Sequence, residues 1–232
     1  MRECAAAPFP AACATSCDAR WRPHDLLRLR RLDSCAEEPA WVRDAFERAP
    51  YGVVRRALAA EGFVSIGVRG AQRAQRYGTW VHADDIVSAV SPESLAQTQP
   101  DAGRDALPSF VALISLQRDP SGPLARFVWG PTGSTGFELA THMPTVSESS
   151  DLDLLIRVPD RLALNVASAL LEQLRTLSTR TGVRIDAQLE TPAGGVALAE
   201  WAAGKARVLA RHASGPRLIA DPWASVAQDG TT

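Results

Sequence analysis

Gly130-Pro131-Thr132-Gly133-Ser134 and the later Ser150-Asp151-Leu152-Asp153-Leu154-Leu155-Ile156 constrain the fold more than any other part of this 232-residue chain. Phe127, Val128 and Trp129 form a short apolar run that stops at Gly130 and Pro131. Ser134, Thr135 and Gly136 then open Phe137-Glu138-Leu139-Ala140, the first turn of an expected helix. A strand feeding a Gly/Ser turn at a helix N-terminus presents free backbone N–H groups, a natural seat for phosphate. No Gly-Lys-Ser/Thr follows, so the turn is not a P-loop. Asp151 and Asp153 sit two apart in a run that reads as a strand, where alternate residues share a face roughly 6.5–7 Å apart. Two carboxylates that close repel unless a cation lies between them, and such hard oxygen ligands suit Mg²⁺. A phosphate cradle beside a carboxylate metal clamp implies phosphoryl or nucleotidyl transfer.

The hydrophobic content of 46% allows a substantial core in one large or two small domains. A formal charge of −1 argues against a duplex nucleic-acid partner, which would call for a strong basic excess. Cys4, Cys13, Cys17 and Cys35 crowd the N-terminus, and Cys13-x-x-x-Cys17 has no matching second pair for zinc, so free thiols are expected. Pro8 and Pro10 interrupt the alanine-rich start, which reads as a frayed tail over residues 1–20 rather than a signal peptide. No stretch approaches the ~20 apolar residues of a membrane span, and the cytoplasm is the expected compartment.

An accessory domain is expected over residues 21–96, a linker over 97–108 and the catalytic domain over 109–232. In the first, Leu26 to Leu32 reads as a short helix or turn-rich entry, and Pro39 precedes a helix from Trp41. Phe63 to Val68 reads as a strand, and Asp84 to Leu95 as helix or turn. Between Arg48 and Arg76 stand six arginines against the single acid Glu61. Arg69, Arg73 and Arg76 are the favoured contacts for a substrate di- or triphosphate, because a guanidinium fork matches phosphate oxygens; a solvated face or a dock for an acidic carrier protein are the other readings. In the second domain, Leu162, Val166, Leu170, Leu174 and Leu177 recur at helical spacing, with Gly182 as the stop. Val183 to Leu189 alternates as a strand, Val196 to Ala203 should be helical, and Arg207–Ala210 with Arg217–Ala220 reads as a terminal hairpin or two loosely joined strands. The order gives an α/β (α+β) protein with a small mixed sheet, preceded by a smaller α+β or β-rich module.

Gly133-Ser134 followed by Asp151-x-Asp153 resembles the signature of the nucleotidyltransferases related to DNA polymerase β. A wider set of residues resembles the malonate decarboxylase holo-acyl-carrier-protein synthases. It comprises Trp129–Ala140, Asp186-Ala187-Gln188-Leu189-Glu190-Thr191-Pro192, Gly215–Trp223, Arg22-Pro23-His24-Asp25-Leu26-Leu27 and Val68-Arg69-Gly70. The superfamily resemblance also favours a helix for Phe110–Leu116. The long spacer between Ser134 and Asp151 departs from the general superfamily pattern.

Nucleotidyl transfer commonly uses two divalent ions, about 3.5–4 Å apart, against the incoming and leaving oxygens. Asp151 and Asp153 are expected to hold Mg²⁺, with Mn²⁺ as a substitute. Asp186 is the expected third carboxylate and Glu190 the reserve, while Gly133, Ser134 and their N–H groups would grip the departing diphosphate. The resemblance, and nothing in composition or spacing, implies triphosphoribosyl-dephospho-CoA as donor and a serine of the apo acyl-carrier subunit of malonate decarboxylase as acceptor. Transfer of AMP to another acceptor is the alternative activity, and a non-catalytic carrier-binding module the alternative of a different class. His24 carries a minority expectation of touching substrate.

Overall fold

The computed structural model describes residues 3–15, 20–35 and 37–224; Cys17 and the rest of the termini lie outside them. The first half contains β1 (Glu3–Cys4), β2 (Leu26–Leu29), α1 (Trp41–Arg48), β3 (Tyr51–Val54), β4 (Phe63–Arg69), β5 (Arg76–His82) and β6 (Ile86–Val90). These strands form one sheet in the order β1-β5-β4-β3-β2-β6, antiparallel except where β1 runs parallel to β5. Val64, Ile66 and Val68 alternate onto the face that packs against Val42 and Ala45 of α1. Ser65, Gly67 and Arg69 therefore point the other way, together with their partners Trp80, Gly78 and Arg76 across the ladder.

The second half contains α2 (Pro108–Gln117), β7 (Val128–Pro131), α3 (Gly133–Thr141), β8 (Leu152–Arg157), α4 (Leu164–Thr181), β9 (Ile185–Thr191), β10 (Gly194–Ala197), α5 (Leu198–Ala202), β11 (Val208–His212) and β12 (Gly215–Ile219). Its mixed sheet has the order β12-β11-β10-β9-β8-β7, with β8 and β9 parallel across the α4 crossover. Leu152, Leu154 and Ile156 bury one face of β8 in a core shared with Phe110, Leu113, Leu170 and Leu174. Alternation sends Asp153, Leu155 and Arg157 to the opposite face, toward the first sheet. The architecture is α+β, with a sheet in each half.

Several expectations need correction. Leu26–Leu29 is a strand, not a helical entry, because Leu26 and Leu27 pair on both sides with β3 and β6. In the Asp84–Leu95 segment, 3-10 turns at Ala83–Asp85 and Pro92–Leu95 flank β6, where β-branched Ile86, Val87 and Val90 extend along β2. Val196 and Ala197 belong to β10, since a tight turn at Pro192–Gly194 pairs them with Leu189 and Gln188, so the helix starts at Leu198. Within the segment expected to fray, Glu3–Cys4 extends the first sheet, and Phe9 packs on Phe63 and Trp80 at 5.3 and 5.7 Å. No helix among the described residues is long and apolar enough to cross a membrane.

Candidate active site

Parallel pairing of β8 with β9 sets Asp153 directly opposite Asp186. The strand pattern explains the match: apolar neighbours of both aspartates are taken by the core, leaving the carboxylates on the other face. Asp153 has its pKa raised, first by burial and then by the negative charges of Asp186 and Asp151; Arg73 and Arg69 oppose the shift. Asp151 lies just before β8 rather than within it, and its carboxylate accepts a 2.6 Å hydrogen bond from the exposed Arg73 guanidinium. Asp186 is held by Arg184 at 2.8 Å. Glu190 shares the face of Asp186 but is engaged by Arg56 from the first half of the chain.

The Gly/Ser turn abuts this cluster. Thr132 N–H donates to the Asp153 carbonyl at 2.8 Å, and Gly133 adopts φ +61 at the first position of α3. A Cβ on Gly133 would fall 2.0 Å from Asp153 Oδ2, so no other residue fits between the turn and the carboxylate. The N–H groups of Gly133, Ser134 and Thr135 lead α3 and have no acceptor within the helix. Ser134 itself is 7% exposed, and its carbonyl accepts from the Thr145 hydroxyl.

A cavity of about 630 Å³ separates the two sheets, within the usual range for small-molecule sites. Asp153, Asp186, Thr132 and Gly133 line one wall, and Arg69 and Arg76 line the wall supplied by β4 and β5. Arg73 and Asp151 stand together as an ion pair bridging the two halves. Burial, then Arg76 and Arg73, push the Arg69 guanidinium down to about 10, while Asp153 pulls the other way; its Nε is buried without a partner.

The structure adds residues that sequence reasoning missed. Arg55 lies across β4 and β5 because Gly78 has no side chain: a Cβ there would come within 1.9 Å of its Nη1, which is also buried without a partner. Arg184 and Arg211 complete the cationic lining. The arginine excess signalled the first of these; nothing in the local sequence marks the other two. His24 reaches the same cavity, with Nε2 at 3.1 Å from Arg56 and 3.0 Å from Gln188. Burial first, then Arg56, Arg157 and Arg211, push its imidazole down to about 3. Trp223 packs on Trp201, and its indole N–H donates to the Val158 carbonyl at 2.8 Å.

The donor set Asp151, Asp153 and Asp186 suits a hard divalent cation, and burial followed by the charges of Asp186 and Asp151 raises the pKa of Asp153. Among the described residues, no group of three or more His, Cys, Asp and Glu side chains is already drawn into ion-holding geometry. Arg73 and Arg184 hold the outer two aspartates as counter-charges instead.

Residues 22–92 match the N-terminal domain model, and 95–222 the C-terminal domain model, of the phosphoribosyl-dephospho-CoA transferase MdcG. Curated relatives named phosphoribosyl-dephospho-CoA transferase include one from Azotobacter vinelandii, 43% identical over 209 residues covering 89% of this chain and 96% of that protein. One from Pseudomonas aeruginosa is 44% identical over 202 residues, covering 87% and 93%. Another from Klebsiella pneumoniae is 40% identical over 209 residues, covering 87% and 96%. No solved structure matches the chain. With both domain models matched in order and close relatives aligned over nearly their full length, this chain belongs to the MdcG family of phosphoribosyl-dephospho-CoA transferases.

Proposed function

We propose that this transferase attaches the 2'-(5''-phosphoribosyl)-3'-dephospho-CoA group, taken from its triphosphate precursor, to a serine of the apo acyl-carrier subunit of malonate decarboxylase. The serine oxygen attacks the innermost phosphorus of the triphosphate, a P–O bond forms, and the P–O bond to diphosphate breaks. The serine proton leaves to a carboxylate or to solvent, and the product is a phosphodiester. The observation that carries this reading is the opposition of Asp153 and Asp186 beside the Gly133 turn, across a cavity from Arg55, Arg69 and Arg76.

In this reading Asp151, Asp153 and Asp186 would hold Mg²⁺, expected as two ions. Bound there, the metal would supply positive charge for the oxygens that gain negative charge in the transition state. The N–H groups of Gly133, Ser134 and Thr135 hold the departing diphosphate, a role that helix N-termini perform for anions. Arg55, Arg69 and Arg76 grip the remaining phosphates, and Arg73 exchanges Asp151 for substrate. Asp186 orients the incoming hydroxyl and helps remove its proton. The free thiols of Cys4, Cys13 and Cys35 suit a reducing compartment, and we place the reaction in the cytoplasm.

The test is mass spectrometry of the purified apo-carrier after incubation with the triphosphate donor, Mg²⁺ and this protein. A gain on the carrier serine equal to the transferred group, with diphosphate released, is the expected result. No gain with that donor, or an AMP adduct formed from ATP alone, overturns the assignment.

A further inference from the structure

His24 occupies a position where its side chain must justify its backbone. Asp25 N–H closes a tight turn on the Arg22 carbonyl at 3.0 Å, with Pro23 second and His24 third at φ 75. That third position with positive φ favours glycine or asparagine, and a bulky ring there is strained.

The neighbours fix which nitrogen carries the proton. Arg56 Nη1, which can only donate, approaches His24 Nε2 at 3.1 Å. Gln188 Nε2 approaches the same nitrogen at 3.0 Å, and its amide cannot be turned round, because its Oε1 accepts from Arg211 at 2.7 Å. Both contacts therefore require a bare Nε2, which leaves the proton of the neutral ring on Nδ1. Nδ1 makes no hydrogen bond with the described residues, and His24 borders two adjoining cavities that share Thr132 and Gly133.

We propose that His24 is a substrate-contacting residue whose Nδ1–H donates a hydrogen bond to a diphosphate oxygen of the donor beside the Thr132–Gly133 turn. The proposal rests on the functional reading above and adds a site residue to it. Held neutral, the ring serves as a fixed donor and takes no proton during turnover. The same bonds to Arg56 and Gln188 lock it in place across the two sheets.

Two variants separate this role from a merely structural one. His24→Asn keeps an N–H near the Nδ1 position and tolerates positive φ, but loses the acceptor for Arg56 and Gln188. His24→Gln carries an oxygen toward the Nε2 position and loses the donor. The readouts are the inhibition constant of inorganic diphosphate with Mg²⁺ and kcat/KM for the triphosphate donor. His24→Gln should change both about tenfold for the worse, the loss expected of one hydrogen bond to a charged group, and His24→Asn should be the less impaired of the two. Nitrogen-15 NMR of the histidine-labelled full chain should show protonated Nδ1 and bare Nε2 between about pH 5 and 8, with the Nδ1 signal moving on addition of diphosphate. Equal constants for His24→Gln and wild type, His24→Asn as impaired as His24→Gln, or a proton on Nε2 would each overturn the proposal. Diphosphate binding and the tautomer are read without any carrier. A wild-type protein that binds diphosphate but leaves the carrier unmodified would instead reject the functional reading.

Discussion

Asp153 and Asp186 face each other from adjacent parallel strands, so the same ladder that builds the second sheet builds the acidic cluster. Replacing either carboxylate by an amide leaves the ladder intact. Asp153→Asn and Asp186→Asn should each lower carrier modification by at least about 100-fold, as removing one electrostatic group from a transition-state site does. Mass spectrometry of the carrier checks activity, and circular dichroism checks the fold.

Metal removal gives a second expectation. Chelation should abolish transfer, and Mg²⁺ or Mn²⁺ should restore it. Because Arg73 and Arg184 already hold the outer aspartates, the melting temperature should change little on chelation, in contrast to structural metal sites whose loss unfolds the protein.

Gly133→Ala adds a single carbon where only 2.0 Å is free before Asp153 Oδ2. The φ of +61 compounds the collision. We expect about 1–3 kcal/mol of lost stability by chemical denaturation, and activity reduced more than folding loss explains.

The arginine wall is tested by kinetics. Arg69→Ala, Arg73→Ala and Arg76→Ala, together with Arg55→Ala, should each raise the donor KM about tenfold with smaller effects on kcat, as loss of phosphate-binding contacts does. Unchanged donor kinetics in all four would remove the wall from the substrate site.

Glu138, a buried carboxylate outside the cavity, makes the stability of the fold depend on pH in the acid range. Glu138 of α3 accepts hydrogen bonds from Arg104 at 2.7 Å and from the Thr145 and Val146 N–H groups at 2.7 Å each. Burial alone would push its pKa up, but Arg104 and these backbone donors hold it below its ordinary 4.5. Its stabilisation is therefore complete above that value and is lost as pH falls through the lower folded value. Glu138→Gln should cost about 1–3 kcal/mol at neutral pH, and the deficit should shrink on acidification, as urea melts across the pH range will read.

Much of the second half was legible because its signals are local. Gly133 followed by a helical turn, the leucine spacing of α4 with its Gly182 stop, and the alternation of β9 each follow from short-range rules. The opposition of Asp153 and Asp186 depends on the parallel pairing of β8 with β9 across the α4 crossover. The long spacer after Ser134 becomes intelligible only in three dimensions: residues 142–150 loop past Glu138, whose carboxylate accepts from the Thr145 and Val146 N–H groups. The first half was harder to read. Leu26–Leu29 and Ile86–Val90 are strands because they pair with each other, a contact over some sixty residues that no window of sequence contains. Arg184 and Arg211 are single residues among many arginines, and only the folded cavity distinguishes them.

The cavity has walls from both halves of the chain, and the halves are joined by charges as well as by an apolar patch in which Leu26 and Ala49 meet Phe137. Arg56 meets Glu190, and Arg157 meets Glu93 at 2.7 Å. Shuffling experiments inherit that arrangement. A chimaera that imports the first half from a relative must bring cations and anions that match the second, or it will leave stranded charges beside the reaction centre. Specificity swapped by whole-module exchange will therefore travel with the seam, not with either module alone.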